Sequence, residues 1–136
     1  MGMLDEIAKS VTEGVDDAIG FAIIDLESGL LLGAHHTIPQ LTQTFLEVFA
    51  AAAVDMFRGR NVANVEQLLR EQLGSSTNAS FIREIQMTTD KAFLFFSTLP
   101  NKPGTLAVLV TGRRANLGFG WSAVRQAIPQ IEPFVP

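Results

Sequence analysis

His35 and His36 are the chain's two imidazoles and the residues best equipped to hold a metal or move a proton. They end a segment that reads as a β-strand, where neighbouring side chains point to opposite faces, so the pair cannot readily chelate one ion. Cysteine is absent, which excludes disulfides and thiolate metal sites. Carboxylates occur at Asp16 and Asp17, ahead of the first strand, and at Asp25 and Glu27, around a turn. None has a nearby His, a Ser-Gly elbow or a matched carboxylate to complete an acid/base pair. Turn and cap chemistry is the expectation for all four.

The stretch Thr111-Gly112-Arg113-Arg114-Ala115-Asn116-Leu117-Gly118-Phe119-Gly120 has a different character. A basic, glycine-containing turn from strand to helix can hold an anion at the helix N-terminus. It lacks the Gly-Lys-Ser/Thr of a phosphate-binding loop and comes too late in the chain for a Rossmann unit. Arg113 and Arg114 are therefore candidate contacts for an acidic partner or a phosphate, with solvated loop charges as the alternative. Trp121 falls on the apolar stripe of the following helix and is expected in the core. Without a nucleophile, a metal set or a cofactor loop, neither enzymatic activity nor a cofactor is expected.

Composition narrows the partners. Ten Lys and Arg against fourteen Asp and Glu leave a formal charge of −4, and no segment carries the clustered cations that displace counterions from nucleic acid. Apolar runs fall well short of the roughly 20 residues that span a bilayer, and no basic region followed by an apolar run marks a leader. A cytoplasmic location is the expectation. The hydrophobic fraction is 47% even before eleven glycines are added, and a typical soluble domain reaches about 45–50% with glycine included. Apolar surface is thus available for a partner.

At 136 residues the chain is expected to form one domain, since domains usually run to about 100–200 residues. Leu4, Ile7, Ala8, Val11 and Val15 recur at helical spacing behind Asp5 and Glu6, which predicts a helix over 3–14. Residues 18–26 and 30–36, joined by Glu27-Ser28-Gly29, read as a hairpin. Pro39 suits a first helical turn and the next glycine is Gly59, so a helix is predicted over 39–58. On a wheel its apolar residues, from Leu41 through Phe45, Val48, Phe49 and Ala52 to Met56 and Phe57, cover an arc of roughly 200°, twice the roughly 100° stripe of a surface helix. Two neighbours are implied, its own sheet and another helix.

A second helix is predicted over 61–73, capped by Asn61 or Asn64 with a short stripe of Val65, Leu68 and Leu69, then a flexible loop from Gly74 to Ser80. Strand 81–88 places Phe81, Ile85 and Met87 on one face with Arg83, and Ile82, Glu84, Gln86 and Thr88 on the other. Such a half-polar strand belongs at a sheet edge. Strands 91–99 and 105–111 are apolar on both faces and read as central. Asn116 caps a last helix carrying Leu117, Trp121, Val124, Ile128 and Ile131, which Pro129 should kink or divide. The order α-β-β-α-(α)-β-β-β-α predicts an α/β (α+β) three-layer α/β/α fold, a five-stranded, mainly antiparallel sheet with helices on both faces.

That order, with Gly-Phe-Ala-Ile-Ile-Asp-Leu-Glu-Ser-Gly as first hairpin, a long Ala/Phe-rich helix, and Thr-Leu-Ala-Val-Leu-Val-Thr before the final helix, resembles the roadblock/dynein light-chain family along nearly the whole chain. The resemblance implies a profilin-like domain over 1–136 that forms homodimers and serves as a noncatalytic platform, in bacteria often beside small Ras-like GTPases. In family dimers the long helix packs on its mate and the following strand pairs edge to edge. This maps onto Leu41, Phe45, Val48, Phe49, Ala52 and Met56 and onto Ile82, Glu84 and Gln86. Residues 59–80 depart from the pattern as a longer connection. A small-molecule sensor domain is the alternative, although no polar cluster in the interior would orient a ligand.

Overall fold

The computed structural model describes residues 2–74 and 82–136. Helix α1 (Met3–Gly14) leads into strands β1 (Ala18–Asp25) and β2 (Leu31–His36). Helices α2 (Gln43–Arg58) and α3 (Arg60–Leu73) follow. Strands β3 (Glu84–Thr88), β4 (Ala92–Leu99) and β5 (Lys102–Gly112), then α4 (Leu117–Ile131) and a closing 3-10 turn over Glu132–Phe134, complete the chain.

The strands form one sheet in the order β2-β1-β5-β4-β3, with every neighbouring pair antiparallel. Side chains alternate across a strand, and here both alternate sets are apolar. Phe21, Ile23, Phe95, Ala107 and Leu109 face α1 and α4 and pack with Ile7, Val124 and Ile131. Ile24, Leu94, Phe96, Leu106 and Val108 face the other way, onto Ala50, Ala53 and Phe57 of α2. The three-layer α/β/α arrangement with helices on both sheet faces is as expected, and β3 lies at an edge as its half-polar pattern predicts.

Several boundaries differ from expectation. Helix α2 begins at Gln43, because the Thr42 hydroxyl accepts from the Phe45 amide at 3.1 Å and caps it there. A side-chain cap outweighs the weaker preference of Pro39 for a first turn. Helix α3 starts directly after Gly59 with no side-chain cap, so neither Asn61 nor Asn64 caps it. Strand β5 begins at Lys102, since Leu99 pairs with Lys102 across a two-residue turn. Pro103 is tolerated near this strand start, where a missing N–H costs least.

Strand β3 starts at Glu84, so Ile82 precedes the regular alternation. Ile82 packs with Ile85 and Met87 on the α2 side and does not join Glu84 and Gln86. Helix α4 is capped at Asn116, as predicted, with its side-chain oxygen accepting from the Phe119 amide at 3.0 Å. It passes through Pro129 and tightens into the 3-10 turn only after Ile131. Gly74 ends α3 with φ 72°, and the rest of the loop predicted to Ser80, with Phe81, lies outside the described residues.

Candidate functional site

Helix α2 splits lengthwise into a covered and an uncovered half. Ala50, Ala53 and Phe57 are buried against the sheet, and Phe57 meets the ring of Phe96 at a centroid distance of 6.2 Å. On one flank Val54 approaches the β1–β2 turn at Gly29. On the other flank Phe49 stacks on Phe96 of β4 at 6.3 Å, and Met56 is half-buried beside the same cluster. Beyond that flank the apolar surface continues into solvent. Phe45 is 49% exposed and Val48 is 63% exposed, with Ala52 exposed between them and Leu41 half-buried at the leading end.

Of the predicted interface residues, Leu41, Phe45, Val48, Ala52 and Met56 therefore share one stripe. Its Phe49 and Met56 flank faces β4, through the Phe49–Phe96 stack, while at the leading end Leu41 and Phe45 border a groove shared with β1 and β2. Phe49 underlies the stripe, its ring stacked between Phe96 and Phe45, the latter at 6.5 Å. Glu84 and Gln86 lie on the opposite sheet face from Ile85 and Met87. Glu84 pairs there with Arg125 of α4 at 3.4 Å, and Arg125 also sits over the Trp121 ring. Strand β3 has β4 as its one neighbour, so its outer backbone edge is open among the described residues.

Arg113 and Arg114 have partners within the chain. Arg113 donates from Nη1 to the Thr89 carbonyl at 2.7 Å, and its guanidinium lies 4.9 Å from the Phe93 ring centroid. The Arg114 amide donates to an Asp17 carboxylate oxygen at 3.0 Å, and its side chain, 92% exposed, reaches the other oxygen at 3.8 Å. The Arg113 guanidinium and the Arg114 backbone amide hold the turn between β5 and α4 in place. His35 and His36 are partly buried, and the His36 Nδ1 accepts from the Ile38 amide at 3.2 Å. Trp121 meets Phe95 edge-on at 5.3 Å, in the α4 core as expected. Among the described residues no three His, Asp or Glu converge as a metal set, and no helix is long and apolar enough to cross a membrane.

Three features escape the linear pattern. A groove of about 290 Å³ opens between the start of α2 and the sheet, with walls that include Ile38, Leu41, Phe45, Phe49, Leu94 and Val110. Its residues come from β1, β2, α2, β4, β5 and the loop ahead of α2, so no local period marks it. A cleft of about 530 Å³ at the opposite end of the sheet gathers Arg58, Arg70 and Arg83 beside Glu66, with Arg58 donating to the Pro103 carbonyl at 3.0 Å. Helix α3, finally, turns Glu66 inward, where it accepts from the Ile82 amide at 3.3 Å, and leaves Val65, Leu68, Leu69 and Leu73 exposed. A signal for this was present in the isolated Glu66 beside a leucine stripe, but which side of the helix meets the body is a tertiary matter.

No family model and no curated protein matches the chain. Solved structures do. A roadblock/LC7 domain from Streptomyces avermitilis superposes with a TM-score of 0.69 at 18% identity, covering 96% of both chains. Myxococcus xanthus MglB gives 0.69 at 15% identity over 96% of this chain and 92% of that one. The gliding protein MglB of Thermus thermophilus gives 0.64 at 21% identity over 99% and 95%. The described part of the chain has the roadblock fold.

Proposed function

We propose that this chain, built on the roadblock fold, is a noncatalytic regulatory module that works as a cytoplasmic homodimer and presents a docking platform to a small Ras-like GTPase within a signalling or motility complex. The observation that carries the reading is the uncovered stripe of α2, where Phe45 and Val48 stand in solvent although a second apolar face of the same helix already serves the core. Large apolar side chains repeated along one helix face mark an interaction surface.

The flank of that stripe at Phe49 and Met56, which faces β4 next to the β3 edge, favours a second copy as its cover. If two β3 strands pair antiparallel about a two-fold axis, the sheet continues across the interface and both α2 helices come side by side on the same face, running in opposite directions. The same contact covers the open edge, which natural proteins seldom leave bare. The GTPase follows from the resemblance to the roadblock family, and one similar structure is described as a gliding protein, which supports a motility setting.

The test is sedimentation equilibrium of the full chain, followed by titration with a panel of purified small Ras-like GTPases in their GDP-bound and GTP-bound states. A dimer near twice 14.7 kDa that binds one GTPase in a nucleotide-dependent way supports the reading. A chain that stays monomeric at about 100 µM, where any association stronger than roughly −5.5 kcal/mol would register, overturns it.

The groove beside α2 favours a second reading, a sensor for a small apolar ligand. Apart from the two histidines its walls offer little to fix a ligand's orientation, which binding sites ordinarily supply. A rise in thermal midpoint with an apolar metabolite would support it.

A further inference from the structure

Helix α3 is amphipathic the wrong way round for its own protomer. Its body-facing side carries Val62, Glu66 and Arg70 at four-residue spacing, with Glu66 buried and Arg70 partly buried. The neighbouring arc carries Val65, Leu68, Leu69 and Leu73, and these are 56%, 57%, 41% and 73% exposed. A helix that packs only on its own core places leucine inward and carboxylate outward. The four exposed side chains leave on the order of 400 Å² of apolar surface on one element, comparable to the largest patch on a whole monomer.

The position of α3 in the fold identifies what covers it. Glu66 and Arg70 line the cleft formed with Thr98, Leu99, Pro100 and Pro103, so α3 stands at the end of the sheet that carries the β4–β5 turn. The Glu66 bond to the Ile82 amide sets it at the leading end of β3, the open edge. The apolar groove lies at the other end, where Gly20, His36, Ala92 and Val110 mark the start of β1, the end of β2, the start of β4 and the end of β5. A two-fold axis through β3 exchanges the two ends of the sheet. The α3 of one protomer then projects toward the groove end of its mate. Fourteen residues of helix reach about 21 Å.

We propose that α3 is an exchanged arm whose occupant is a second copy of this chain, with Leu68, Leu69 and Leu73 of each protomer seated on the partner's groove beside Leu41 and Phe45. This rests on the homodimer reading. The exposed part of α2 alone is small against the roughly 800 Å² per partner that a specific interface buries. The leucines of α3 supply much of the deficit, and the exchange closes both the stripe and the groove in one step.

The absence of cysteine permits a clean test. Leu41→Cys and Leu73→Cys chains, carrying tags of different mass, are mixed, allowed to exchange subunits and oxidised mildly. A disulfide-linked heterodimer is expected, since it can arise only between protomers. In parallel, Leu69→Glu is expected to raise the dimer dissociation constant at least tenfold while leaving the thermal midpoint of the dissociated chain nearly unchanged, because Leu69 belongs to neither core cluster. A dimer by sedimentation that forms no heterodimeric disulfide and tolerates Leu69→Glu overturns the arm and leaves the homodimer standing. A monomeric wild-type chain overturns both.

Discussion

Phe49 stacks on Phe96 with ring planes 19° apart, and this contact divides α2 into residues that hold the fold and residues that do not. Phe49 belongs to the first set. Val48, one position earlier and 63% exposed, belongs to the second. The two positions should therefore fail differently. Val48→Glu is expected to leave the unfolding free energy of the dissociated chain, measured in urea, within about 0.5 kcal/mol of wild type, as for other surface changes, yet to dissociate the proposed homodimer in sedimentation equilibrium. Phe49→Glu is expected to unfold the chain, and Phe49→Ala to cost about 2–4 kcal/mol.

Gly120 faces the ring of Phe95 so closely that an added methyl would overlap it, and Phe95 is fully buried. Alanine is the better helix former by about 1 kcal/mol, so propensity alone would stabilise Gly120→Ala. Overpacking in a closed core costs about 1–3 kcal/mol, and a buried ring has nowhere to move. A net loss of stability is expected in thermal denaturation, together with a change in native Trp121 fluorescence, since Trp121 sits edge-on to the same ring.

Asp17 adopts φ 63°, a left-handed conformation in which Asp and Asn are enriched among non-glycine residues. Its carbonyl accepts from the Gly112 amide at 2.8 Å while its carboxylate accepts from the Arg114 amide. Asp17→Asn keeps both the conformation and an acceptor and should cost under about 0.5 kcal/mol, whereas Asp17→Ala should lose about 1 kcal/mol. Arg114→Ala should be nearly neutral, because an ion pair so exposed contributes little. Chemical denaturation of the three variants checks the order, and a large loss for Arg114→Ala would contradict it.

Asn116 caps α4 through the Phe119 amide. Asn116→Ala is expected to destabilise by about 1 kcal/mol and Asn116→Asp to be tolerated, since aspartate makes the same bond and suits the helix dipole. Amide hydrogen exchange gives the local check: protection of the first turn of α4 should fall in the alanine variant alone.

Much of the fold is legible in the order of residues because the relevant signals are local. The doubled apolar faces of β4 and β5, the helical spacing in α1 and α4, and the Asn116 cap each depend on neighbours within a few positions. Where two local signals compete, one must win. Pro39 and Thr42 both announce the start of α2, and the hydroxyl that satisfies a free amide prevails. The candidate site was only half legible. The surplus arc of α2 can be counted on a wheel, but that Phe49 belongs to the core and Val48 does not depends on Phe96, forty-seven positions downstream.

What the sequence by itself determined is the kind of molecule: cysteine-free, acidic, three-layered, with more apolar surface than one core consumes. These follow from composition and from periods of two and about 3.6 residues, which the backbone geometry enforces wherever the segment ends up. Only the tertiary structure decided that β5 sits at the centre with β1 and β4 beside it, that Arg113 and Arg114 brace a turn through Thr89 and Asp17, and that α3 turns Glu66 inward and its leucines out. Those outcomes depend on which distant segments meet. That choice is made by the summed packing of the whole sheet, and no local period encodes it.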